Sequence, residues 1–250
     1  SMVMYSELPI THDVIEAIMG LEGIEYFDAS TELLLDTENV KLIPGNIPID
    51  EEFRTMTNTQ IVGDTENSGY FRSGKVLLIE GKHIERTDSN VAVISRDLAK
   101  KNGLSVGDTL SLHSDGLATV KIIGLFEVRD EGRFVSQATS YDKLENRIFL
   151  DIDSLQSLVP GRKAGFDAVV FKANDPSQID GIAAKVKSLP SIDWRAFTLT
   201  TNNETYRTAA APLLRLDTLV KTLLIVIVAV SAVILSLTLT MWAKSRIHET

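Results

Sequence analysis

The 22 residues from Thr222 to Ala243 (TLLIVIVAVSAVILSLTLTMWA) contain no charge, no glycine and no proline. At a rise of about 1.5 Å per residue, a helix of that length crosses the roughly 30 Å hydrocarbon core of a bilayer. Lys221 closes the stretch on one side, and Lys244 and Arg246 close it on the other. Trp242 stands where an amphipathic ring meets the lipid-water boundary. Core helices of soluble proteins rarely stay uncharged beyond about 14 residues, so the stretch predicts a transmembrane helix over residues 222–243. Everything before it then predicts a water-soluble domain held at a membrane.

Composition fits that division, because 44% hydrophobic and 24% charged residues describe an ordinary globular chain carrying one atypical segment. A net charge of -9 with no basic stripe argues against nucleic acid, whose phosphates need clustered Lys and Arg. The absence of cysteine excludes disulfides and thiolate metal sites. Ser1 and Met2 read as cloning residues ahead of an internal fragment, with no signal peptide after them.

Thr11 is placed to cap a helix continuing through Met19, with Val14, Ile15 and Ile18 at helical spacing and Gly20 or Gly23 ending it. Ile24–Phe27 and Glu32–Leu35 read as two strands, and Asp50–Met56 as a second helix after the prolines at 44 and 48. His12 and Asp13 at the helix start read as solvated capping. Gly69 to Val76 (GYFRSGKV) nearly matches the phosphate-binding loop G-x-x-x-x-G-K-[ST]. However, Val76 stands where the magnesium-holding hydroxyl belongs, and Lys75 leads into a strand instead of a helix. No nucleotide site is expected there.

Residues 75–124 predict a small β-rich module with one helix. Val91–Ile94 is a short buried strand, Ser95 caps a helix over residues 96–101, and Gly103 stops it in the left-handed conformation. Val106–Thr109 turns the chain into the strand Leu110–Leu112, and Asp115-Gly116 makes a hairpin to residues 119–124. The order EGKHIERTDSNVAVISRDLAKKNGLSVGDTLSL…VKIIGLFE resembles the extracytoplasmic core domain of MacB-like ABC transporter permeases, with its xGRxI-type strand, VAVIS…LA strand-helix and GLSVGDTL turn. Lys82 departs from the arginine frequent in that family. The chain's end is similar too: Arg246-Ile247-His248-Glu249 matches the basic R-x-x-E segment that follows the second membrane helix of such permeases. The first membrane helix of that family is not in the sequence.

Glu127–Asn146 shows no period and reads as an exposed loop or irregular hairpin. Residues 147–150 are a strand, 151–158 a helix capped by Asp151 or Asp153, 167–172 a strand, 175–187 a helix and 194–199 a last strand. The Asp151-Ile152-Asp153 spacing reads as a cap and not a metal site, for want of further oxygen ligands. Asn202 or Asn203 opens an amphipathic helix in which Tyr206, Ala209, Ala210, Leu213, Leu216 and Val220 recur at intervals of three and four. Inside the apolar run, Ala229, Ala232, Ser236 and Thr240 fall on one stripe of small residues.

The expected fold is therefore α+β. A two-layer strand-helix-strand domain is interrupted by a small β-rich module and followed by a helical stalk and one transmembrane helix. The resemblance sets the boundaries: a porter-like subdomain in two parts (1–74 and 147–200), a sabre-like insertion (75–146), a stalk (201–221), the span (222–243) and a cytoplasmic start (244–250). No catalytic, cofactor or metal residue stands out, because the four histidines (His12, His83, His113, His248) lack a placed partner and no nucleophile, zinc or paired-carboxylate signature occurs. An enzyme is not expected. The resemblance implies a permease half that works with a separate ATP-binding subunit, a second permease copy and membrane lipid, acting on a peptide, lipoprotein or drug at the outer face. An FtsX-type module activating a cell-wall hydrolase is the alternative, and a membrane-anchored enzyme the third. The resemblance also places residues 1 to about 220 outside, since the flanking charges balance.

Overall fold

The computed structural model describes residues 1–129 and 138–202, together with residues 223, 224, 227, 228, 230, 231 and 235. The chain divides into two units, Ser1–Asn202 and Asn203–Thr250. Along the first unit run β1 (Met2–Ile10), α1 (His12–Met19), β2 (Ile24–Thr37), β3 (Met56–Val62), α2 (Gly69–Arg72), β4 (Val76–Gly81) and β5 (Val91–Ser95). They are followed by α3 (Arg96–Asn102), β6 (Thr109–His113), β7 (Leu117–Val128), β8 (Ile148–Leu150), α4 (Ile152–Leu158), β9 (Phe166–Ala173), α5 (Ile179–Lys187) and β10 (Thr198–Thr201). The mixed α+β class agrees with expectation.

The ten strands among the described residues join one sheet, in the order β10-β1-β9-β2-β3-β8-β5-β7-β4, with β6 bridging β2 and β7. Strand β2 changes partner along its length. Its first half pairs antiparallel with β9, from Ile24 opposite Ala173 to Ser30 opposite Ala168. Its second half pairs with β3, from Ser30 opposite Val62 to Asp36 opposite Met56. At the far end Asp36 and Thr37 meet His113 and Leu112 of β6. Because β6 pairs β7, β7 pairs β5, β5 pairs β8 and β8 pairs β3, those contacts close a six-stranded ring, which removes the free edges an open sheet would leave. The ring draws β2, β3 and β8 from outside the segment 75–146 that carries its other strands.

Period-two alternation explains the packing. On β2, Phe27, Ala29, Thr31, Leu35 and Thr37 are buried, and on β7 Ala118, Val120 and Ile122 are. Strands β5 and β8 are buried on both faces, so they read as unbroken apolar runs. Ala92, Ile94, Ile148 and Leu150 join the main core. Val91, Val93 and Phe149 enter a second cluster with Phe126. Phe71 of α2 covers that second cluster, its ring 5.3 Å from Phe149 and 6.1 Å from Phe126.

Several predicted elements shift. The two strands read at 24–27 and 32–35 are one, since polar Asp28, Ser30 and Glu32 fall on the opposite face from Phe27, Ala29 and Thr31 and do not interrupt it. The helix expected at 50–56 shrinks to a 3-10 turn at Glu51–Phe53, because Thr57, Thr59 and Ile61 alternate into the core as a strand. Met2, read as a cloning residue, is fully buried in β1 beside Met4, and β1 lies between β9 and β10. Thr11 flanks α1 without a side-chain cap bond. The last strand moves to 198–201.

The middle segment keeps its expected form. Ser95 Oγ accepts from Leu98 N–H at 2.9 Å, and Gly103 ends α3 at φ 67°, a left-handed position that favours glycine. Asp151 caps α4 with one oxygen, accepting from Asp153 N and Ser154 N, while the other accepts from Val91 N at 2.7 Å and Ser154 Oγ at 2.7 Å. Both oxygens of this buried carboxylate are thus engaged, tying the start of α4 to the start of β5.

In the second unit, Leu223, Leu224, Ile227, Val228, Val230, Ser231 and Leu235 are helical, and the six apolar ones are each at least 52% exposed. Among the described residues no helix is long and apolar enough to cross a membrane. The expected stalk beyond Asn202, most of the span over 222–243, the small-residue stripe and the 244–250 segment lie outside the described residues.

Asp151→Ala leaves the Val91 and Asp153 amides and the Ser154 hydroxyl without their acceptor in a buried place, so unfolding free energy should fall by about 3 kcal/mol, as the loss of a cap and of a buried acceptor together predict. Equilibrium urea unfolding of residues 1–202 measures it.

Candidate functional site

The strands meet at a seam where β2 leaves β9 for β3. Gly63, just beyond β3, donates its N–H to Ala29 O at 3.1 Å and turns the chain toward α2. There Gly69 N–H donates to Asp28 Oδ2 at 2.7 Å. Asp28 Oδ1 is sealed from solvent and has no hydrogen-bond partner among the described residues. Burial is the main cause that holds the Asp28 carboxyl above its ordinary range; nearby Asp64 adds to it, and the Gly69 bond and Lys172 oppose it.

Beside the seam lies a mainly apolar cleft of about 420 Å³, within the roughly 300–1,000 Å³ of small-ligand sites. Ile15 of α1, Phe27 of β2, Ile152 of α4 and Phe166 of β9 line it, and His12 and Arg86 stand among the lining residues as its titratable groups. Arg86, on the connection from β4 to β5, lies with its guanidinium 4.3 Å from the Phe27 ring centroid. Its Nη1 is 3.5 Å from Glu16 Oε1 and its Nε 4.0 Å from Asp64 Oδ2. Glu16 is shared, since His12 Nε2 lies 3.6 Å from the same oxygen.

The candidate residues from the sequence fall in different places. His12 sits at the cleft with Glu16 beside it, and His83 Nδ1 is 2.9 Å from Thr65 Oγ1 with its ring edge-on to Phe71, so both have partners that spacing did not reveal. Burial is the main cause lowering the His83 pKa. His113 lies in β6 opposite Asp36, and His248 is outside the described residues. In the Gly69–Lys75 stretch, the first loop amide is taken by a carboxylate, Lys75 Nζ lies 5.9 Å from the Tyr70 ring centroid, and Val76 is buried in β4. The stretch is an aromatic anchor, with Tyr70 also receiving the Arg147 guanidinium 4.7 Å from its ring. Arg147 in turn pairs with Glu32 at 2.8 Å. No group of three or more metal-ligating side chains occurs among the described residues. Arg86, Glu16, Phe27 and Phe166 were not singled out by sequence. The available signal was Arg86 within the segment EGKHIERTDSN, whose pattern carried the resemblance but no role.

Comparison with known proteins agrees with this fold. The family described as MacB-like periplasmic core domain matches residues 14–189. An uncharacterized ABC transporter permease, YclI of Bacillus subtilis (strain 168), is 26% identical over 213 residues, covering 82% of this chain and 42% of its own length. A second permease protein, Rv0987 of Mycobacterium tuberculosis, is 37% identical over 87 residues, covering 34% of this chain and 9% of its own length. The chain therefore spans less than half the length of these relatives. The periplasmic region of MacB from Actinobacillus actinomycetemcomitans superposes with a TM-score of 0.51 at 14% identity, covering 84% of this chain and 92% of that one. The extracellular domain of the transporter YknZ from Gram-positive bacteria gives 0.52 at 14% identity, covering 80% and 100%. At these identities the two structures speak for the fold.

Asp28 has a pH consequence. Its folded pKa exceeds its unfolded one, so the folded state binds more protons and stability falls as pH rises from about 4 through the folded pKa. Asp28→Asn keeps an acceptor for Gly69 and removes the charge. Its melting temperature should exceed that of the parent at pH 7, and the difference should vanish near pH 3, as thermal unfolding across pH will show.

Proposed function

Because this chain belongs to the MacB-like periplasmic core domain family, we propose that it serves as the extracytoplasmic part of an ABC transporter permease subunit. In that role it couples ATP hydrolysis by a separate subunit to the export or handling of a peptide, lipoprotein or drug at the outer membrane face. The family match across residues 14–189 carries this reading. The permease relatives, of which the chain spans 42% and 9%, support it.

In this reading residues 1 to about 220 lie outside the membrane, 222–243 cross it and 244–250 begin the cytoplasmic side. Strands β2 and β8 of the porter-like parts (1–74 and 147–200) pair with β6 and β5 of the sabre-like insertion (75–146), so the domain moves as a unit. A second permease copy and membrane lipid complete the assembly. The chain itself performs no chemistry. The stalk over 201–221 carries displacement between membrane and domain, and its stiffness matters more than its surface groups.

Replacing Thr208 and Ala209 by glycines weakens that helix by about 1.4 kcal/mol, most of it at Ala209 because threonine is already a poor helix former. In the whole transporter, ATP hydrolysis should continue while export or resistance is lost. Arg207→Glu should do far less, because one surface ion pair is worth about 0–1 kcal/mol. Intact export in the glycine-pair variant would reduce the stalk to a tether and the domain to a passive binding module, as in a hydrolase regulator.

A further inference from the structure

We propose that the cleft beside the seam is a binding site for a single-chain fatty carboxylate, its tail against Phe27, Phe166, Ile15 and Ile152 and its head on Arg86. The site is independent of the transport reading, since it rests on the geometry of residues 1–202. The floor is buried and apolar, and the titratable side chains lining the cleft are basic ones, Arg86 and His12. That combination favours an apolar body ending in an anion.

Arg86 is free to take that anion. Its side chain is 46% exposed, and its ion-pair distances of 3.5 and 4.0 Å lie at or beyond hydrogen-bond reach. The Glu16 partner is itself 51% exposed and divided between Arg86 and His12. The Glu16 pair is loose and solvated and therefore weak, whereas Asp64, 12% exposed, stays beside Nε; a carboxylate arriving with its tail already buried can displace Glu16 and meet the guanidinium's free N–H groups with two hydrogen bonds. The cation–π contact with Phe27, 4.3 Å from guanidinium carbon to ring centroid, holds the group beside the cleft. The walls come from α1, β2, the β3 exit, the β4–β5 connection, α4 and the start of β9. An occupant therefore touches segments far apart in the chain, and its binding holds them together.

The test is methyl NMR of the full chain in lipid nanodiscs with isoleucine δ1 methyls labelled, because Ile15 and Ile152 report the cleft separately from any uptake by lipid. Octanoate should shift both methyls saturably. Decanoate should bind more tightly, by about fourfold per added methylene until the cleft is full. Octanol and octyltrimethylammonium should bind at least about tenfold more weakly than octanoate. Arg86→Gln should cost octanoate a similar factor with the rest of the spectrum unchanged. Ala164→Phe, an exposed residue at the edge of the cleft, should block binding without touching the guanidinium. Absence of saturable shifts at Ile15 and Ile152, equal affinity for carboxylate and ammonium, or a response to an apolar peptide with a free C-terminus but not to octanoate would each overturn the proposal.

Discussion

The hydrogen bonding of β2 is the constraint on which the rest depends. At Ser30 one strand is paired on one edge with Ala168 of β9 and on the other with Val62 of β3. Before that point β2 belongs to the layer that carries α1 and β1, and after it β2 becomes a stave of the closed ring. A slip of one residue would turn Phe27, Ala29 and Leu35 outward along the whole strand, so the register of both halves is fixed together. Strand β7 repeats the device, pairing β6 over its first half and β4 over its second while β5 holds the other edge. At the β7 switch, Gly81 brings its backbone against Ile123 at φ 75°, where a Cβ would collide with the Ile123 carbonyl oxygen.

Local chemistry was legible in the sequence, and long-range pairing was not. The helix caps of Ser95 and Asp151, the Gly103 stop and the Asp115-Gly116 turn each act within a few residues and take the role their type suggests, whereas the bond from Val91 N to the second Asp151 oxygen spans 60 positions. The closure of the ring through Asp36 and His113 spans 77 positions in the chain and leaves no local mark. β1 escaped notice because Met2 and Met4 share its buried face with few β-branched neighbours, and its two partners lie about 170 and 200 residues away. The 3-10 turn at Glu51–Phe53 misled because its acidic residues suit a helix start, whereas the threonines that follow belong to β3.

The phosphate-loop likeness shows how one pattern serves two physical ends. Glycine, aromatic and lysine at that spacing form a short turn whose rings bury against Phe149 and whose first amide meets Asp28. That turn, the Arg86 connection and α1 surround the switch point of β2, so the apolar cleft sits where the two halves of the sheet are joined. The family expectation supplied the fold class and the permease context. The cleft leaves no mark in the sequence, because its residues converge from segments spread over positions 12 to 166.

Strand β2 ties both layers into one cooperative body. Native-state hydrogen exchange across low denaturant measures this at the amides of Ile24–Ser30 and Thr31–Thr37. One common opening free energy and one denaturant slope, equal to those of global unfolding, is the predicted result. Separate isotherms, with the ring opening while the β9-paired half stays closed, would contradict it.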